Sequence, residues 1–166
     1  AQSRAAWMPA TPPPMTTAWE ARSEPRRMAF MSLSVRMECQ QKNAFRLAEW
    51  LQGHPLVTKV LYVGLDTHPG YEINKSQTRG AGSMISFYVD SPETAKRVLE
   101  KVKLISYAES LGGVESLITY PMLQTHGDVP PEVRERLGIT DCFLRFSVGI
   151  ENADDLIADL KQALEV

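Results

Sequence analysis

From residue 33 onward the spacing of the apolar residues switches repeatedly between a helical and a strand period, and this interleaving constrains the fold more than any other feature. Residues 33–52 place Leu33, Met37, Ala44, Leu47, Ala48 and Leu51 at helical spacing, with Gly53 as the stop. Residues 57–62 alternate as a half-buried strand does, and 84–89 form a second strand. Ser91 followed by Pro92 reads as the cap and first residue of a helix through Val102, with Ala95, Val98, Leu99 and Val102 on one face. A short strand is predicted over 104–108, a charged helix over 131–137 closed by Gly138, and a strand over 142–148. Asn152 caps a last helix. Asp154 and Asp155 suit the positive end of its dipole, and Leu156, Ile157, Leu160 and Leu164 form its apolar face. Helices interleaved with short strands predict an α/β fold, a two-layer sandwich with helices packed on one face of a short-stranded sheet.

Residues 1–30 are a different text. Five of the eleven prolines lie there, and four arginines stand against Glu20 and Glu24. Proline lacks an amide donor and no apolar period is present to offset ordering entropy, so the segment reads as disordered, with residues 31–166 as the folded domain. Its arginines and alanines would suit a transit peptide, against which the glutamates and the lack of an opening Met count; an added cloning remnant, a misjoined exon or a truncated reading frame accounts for it at least as well. The net charge of −2 and the lack of any long basic run argue against binding to nucleic acid or a membrane surface. Cys39 and Cys142 are far apart and lack metal-ligand spacing, and His54, His68 and His126 are dispersed, so neither a metal site nor a disulfide framework is expected. The cytoplasm is the expected compartment.

Two stretches could carry chemistry. Glu109-Ser110-Leu111-Gly112-Gly113-Val114-Glu115-Ser116 joins hydroxyls, carboxylates and paired glycines directly after a predicted strand. It lacks the spacing of a phosphate loop, and a tight turn is the plainer reading. Arg145 stands inside the apolar strand Phe143-Leu144-Arg145-Phe146-Ser147-Val148, on the face shared with Phe143 and Ser147. A strand-held guanidinium suits two-point capture of a carboxylate, although exposed strand arginines are commoner. Ser110, His126 and Asp128 can be written as a triad, but no nucleophile elbow is present.

Taken in order, Gly64-Leu65, His68-Pro69-Gly70, Met84-Ile85-Ser86-Phe87, the 108–116 stretch, Thr125-His126, Leu144-Arg145-Phe146-Ser147-Val148-Gly149-Ile150-Glu151 and Asp155-Leu156-Ile157-Ala158-Asp159-Leu160 resemble the C-terminal domain of the Cys/Met-metabolism enzymes that use pyridoxal 5'-phosphate (PLP). Val63, Ala81-Gly82-Ser83 and Gly127 depart from the family pattern without removing a site residue. The resemblance implies the small C-terminal domain of a fold-type I transferase, closing over a site built mostly by a larger preceding domain. It further implies that Arg145 holds the substrate α-carboxylate, that Ser110 and Thr125 line the same pocket, and that Glu109 favours γ-synthase and γ-lyase chemistry over β-lyase chemistry. The implied substrates are an activated homoserine, cysteine or cystathionine, and the implied intact enzyme is a homotetramer. The family's cofactor lysine follows a Ser-x-Thr run in the large domain. Thr58-Lys59 imitates its end but follows Leu56-Val57 in a predicted strand. No cofactor-binding or catalytic residue is therefore expected here, and the chain alone is expected to be inactive; a stand-alone interaction domain derived from the family is the alternative.

Overall fold

The computed structural model describes residues 18–124 and 126–165, with side chains from residue 31 onward. The chain divides into two compact units, 1–34 and 35–166. Helix α1 (Ala18–Gln52) opens the described part. The expected disorder of residues 1–30 thus divides. Residues 1–17 lie outside the described residues, whereas the backbone from Ala18 is helical through Pro25, rather than starting near residue 33. Ala, Glu, Arg and Met dominate this stretch and are good helix formers, so one proline does not stop it.

Within the second unit follow β1 (Val57–Leu61), α2 (Tyr71–Gln77), β2 (Met84–Val89), α3 (Pro92–Lys101), β3 (Ser106–Tyr107), β4 (Leu117–Thr119), α4 (Pro131–Arg136), β5 (Phe143–Ser147) and α5 (Ala153–Glu165). The strands form one sheet in the order β1-β2-β5-β4-β3, antiparallel except for the β3–β4 pair. The strand predicted over 104–108 shrinks to two residues. Two elements were not foreseen: α2 buries no residue, and β4 is too short to alternate.

Local signals account for the element ends. The Ser91 hydroxyl accepts from the Thr94 amide at 3.2 Å, with Pro92 in the first turn of α3. Asn152 Oδ1 accepts from the Asp154 amide at 2.8 Å at the start of α5, and Gly138 takes φ +72° just beyond α4. Alternation then sorts the sheet into two faces. Ile85, Phe87, Leu144 and Phe146 are fully buried and join Ala44, Leu47, Ala48 and Leu51 of α1, Ala95 and Val98 of α3, and Leu156, Leu160 and Leu164 of α5 in one core. This is the expected two-layer α/β sandwich.

The α1 face departs from its reading in its first two turns. Leu33 and Met37 are both exposed, and the buried positions before Ala44 are polar: Gln40 and Asn43. Their amides are satisfied by distant backbone. Gln40 Nε2 donates to Gly113 O, and Asn43 Nδ2 donates to Gly149 O at 3.2 Å and Glu151 O at 2.7 Å.

Candidate functional site

Arg145 lies on β5, the central strand of the sheet. In register with it are Ser86 of β2 and Thr119 of β4, and directly opposed residues share a face. Arg145 therefore stands between two hydroxyl residues on the face turned away from Leu144, Phe146 and the core that they share with α1, α3 and α5. One end of this face is closed by Tyr88 and Phe143, whose rings lie 4.9 Å apart. At the other end are Met84, Leu117 and Ser147.

The glycine-containing loop is fastened over that second end. Gly112 has φ +76° and no neighbour near a hypothetical Cβ, so glycine is required there by backbone conformation rather than by space. Its amide donates to Ser147 Oγ at 3.1 Å, which ties the loop to the face bearing Arg145. Four further hydrogen bonds tie the loop to residues 149–151. Ile150 N donates to Val114 O at 2.9 Å; Glu151 accepts from Ser116 N at 2.6 Å and Ser116 Oγ at 2.8 Å; Gly149 N donates to Ser116 Oγ at 2.9 Å. Thr119 Oγ1 also donates to Ala108 O at 3.0 Å, where the loop begins. Glu109 and Ser110 sit on this loop and are exposed. Thr125 lies outside the described residues. Ser110 belongs to the β3–β4 loop, whereas His126 and Asp128 belong to the β4–α4 loop.

Arg145 is partly buried, and its Nε is enclosed with no hydrogen-bond partner among the described residues. It makes no side-chain ion pair among those residues. A buried donor left unmatched is costly, and a guanidinium beside two hydroxyl residues is suited to a planar, two-oxygen anion. Asn43, Ser116, Ser147 and Glu151 were not foreseen as parts of this arrangement. Their signal is weak in one sequence, because each acts through backbone groups remote along the chain. Tyr88 and Tyr120 have hydroxyls pushed above their ordinary value, first by burial; each donates to a backbone oxygen, of Gly138 at 2.7 Å and of Asp141 at 3.0 Å.

A cofactor carbonyl bound to an enzyme amine needs a lysine shielded from water. All seven lysines of this chain are exposed, Lys59 in β1 with its Nζ 5.8 Å from the Tyr88 ring centre. None of these amines is sheltered among the described residues. Nor do three His, Cys, Asp or Glu side chains converge as metal ligands among them, and no described helix is long and apolar enough to cross a membrane.

The fold is similar to that of fold-type I PLP enzymes. The family model described as Cys/Met metabolism PLP-dependent enzyme matches residues 29–165, and the chain belongs to that family. It is 51% identical over 135 residues to a cystathionine γ-lyase of Dictyostelium discoideum, covering 81% of this chain and 35% of the relative. It is 50% identical over 134 residues to a cystathionine β-lyase of Bacillus subtilis (strain 168), covering 81% and 34%. A crystal structure of cystathionine γ-synthase from Xanthomonas oryzae pv. oryzae, in complex with aminoacrylate and cysteine, is similar with a TM-score of 0.77 and 41% identity, covering 80% of this chain and 35% of that one. The chain thus spans about a third of the length of these relatives.

Proposed function

We propose that the chain is the C-terminal part of a PLP-dependent transsulfuration enzyme and supplies the surface that grips the substrate α-carboxylate. The observation that carries this reading is Arg145, central in the sheet and flanked by Ser86 and Thr119. Its two parallel N–H groups take both carboxylate oxygens, which orients the bonds at Cα. Ser110 and Thr125 complete the pocket, and the ties from Gly112 to Ser147 and from Ser116 to Glu151 keep the Ser110 loop in place. Glu109 favours γ-replacement on an activated homoserine by cysteine, or the related γ-elimination from cystathionine, over β-elimination. The cofactor and its lysine belong to a preceding large domain of a cytoplasmic homotetramer, and this chain alone is inactive. The fraction of the relatives that it spans and the exposure of all its lysines support that division.

The test is a chimera in which residues 31–166 replace the corresponding third of the Bacillus subtilis relative. With cystathionine as substrate, the parent chimera should turn over. Arg145→Lys, which keeps the charge but loses the fork, should lower kcat/KM more than tenfold, about 1.4 kcal/mol per decade, and Arg145→Ala further. A folded, cofactor-loaded Lys variant with the parent's kcat/KM would remove Arg145 from the site. A folded parent chimera without turnover would favour a non-catalytic interaction domain instead.

A further inference from the structure

Away from the Arg145 surface, with which it shares no lining residue, an open groove of about 460 Å³ lies between α1 and α2. That volume is within the usual range for small-molecule sites. Its charge is one-sided: Lys42, Arg46, Lys75 and Arg79 line it, and no aspartate or glutamate does. Arg46 is matched by an ion pair with Asp154 outside the groove. Lys75 lies 5.5 Å from the centre of the Tyr71 ring, and Lys42 and Arg79 have no ion-pair partner among the described residues. Between these cations lie aromatic surfaces, Tyr71 and Phe45, the latter 41% exposed despite its size.

The walls come close because two positions lack a Cβ. A side-chain carbon on Gly80 would run into the Gln41 carboxamide of α1, and one on Gly64 would meet the Tyr62 ring and Ala81. Tyr62 itself is buried and tied back, its hydroxyl donating to Gly82 O at 2.9 Å, so it offers the groove no free donor. Unneutralised cations beside exposed rings select a ligand with both a negative group and a flat apolar body.

We infer that this groove is a binding site for a small planar aromatic anion, a ring bearing one phosphate or carboxylate, with Lys42 and Arg79 taking the anionic group and Phe45 the ring. This site is separate from the Arg145 surface, and either reading can fail alone.

Phenyl phosphate is the probe, titrated into the 15N-labelled 166-residue chain and followed by amide shifts. Inorganic phosphate, benzyl alcohol and hexaglutamate serve as comparisons. Saturable shifts should centre on 41–46 and 71–81, with phenyl phosphate binding at least about tenfold more tightly than any comparison compound. The Lys42→Gln/Arg79→Gln double variant, altered only at exposed positions, should keep the parent's melting temperature and lose at least about tenfold in affinity. Phe45→Ala should bring phenyl phosphate down towards inorganic phosphate. Unsaturable shifts, equal binding of inorganic phosphate, tighter binding of hexaglutamate, or undiminished affinity in the double variant would each overturn the proposal. Carboxylate and phosphate are then separated by repeating the titration with benzoate.

Discussion

Tyr62 couples its ionisation to the fold more strongly than any other described residue with a resolved shift. Its side chain is 1% exposed, its hydroxyl donates to Gly82 O, and burial pushes its pKa from 10.0 up to about 12. The folded value lies above the unfolded one, so the native state holds this proton more tightly. The resulting stability is complete below pH 10 and is lost as the pH rises towards 12. The melting temperature is expected to fall across that window. Tyr62→Phe has no proton to lose there and should flatten the fall, while costing about 1 kcal/mol at neutral pH for the lost hydrogen bond. Tyr88 and Tyr120 are raised in the same direction, so the slope should shrink rather than vanish. An unchanged slope in the Phe variant would contradict the assignment.

At the scale of elements, α5 is held by more than its apolar face. Asp159 is buried between Leu156, Leu160 and Ala163, and its carboxylate accepts from three consecutive amides of the α3–β3 connection: Lys103 at 2.9 Å, Leu104 at 2.8 Å and Ile105 at 2.9 Å. These donors have left α3 and have not yet entered β3, so no ladder satisfies them. Asp159→Asn replaces one acceptor oxygen with an NH2 group facing these donors, and Asp159→Ala strips all three. Each should cost about 2 to 3 kcal/mol, read as a lower urea midpoint at unchanged m-value. If neither midpoint moves, the carboxylate does not hold the connection. Apolar periodicity missed this residue because it scores a buried aspartate as a solvent-facing position.

For the whole molecule, the division at residue 34 predicts that the folded unit stands without its leading segment. Removing residues 1–30 leaves the α1 positions that enter the core, from Ala44 to Leu51, untouched. The melting temperature should therefore barely change, and a loss above roughly 2 kcal/mol would show that the leading segment contributes to the core's stability. A second whole-molecule expectation concerns the cofactor. Incubation with PLP, borohydride reduction and peptide mapping should find sparse labelling spread over the seven exposed lysines. One stoichiometric pyridoxyl-lysine would instead reveal a built site in this chain.

What could be read without coordinates was local. Alternation in 143–147 already placed Arg145 opposite Leu144 and Phe146, because the strand period of two belongs to the segment itself. The caps at Ser91 and Asn152 and the stop at Gly138 were legible for the same reason. Tertiary structure alone decided the neighbours. The strand order sets Ser86 and Thr119 beside Arg145, and the pairing of β4 with β5 brings the Gly112 loop to Ser147. It also buries Gln40 and Asn43, whose partners lie 73 and more than 100 residues further along the chain. Periodicity records which way a side chain points relative to its own backbone. Which group it meets depends on long-range pairing, whose energy is distributed over strands remote in sequence.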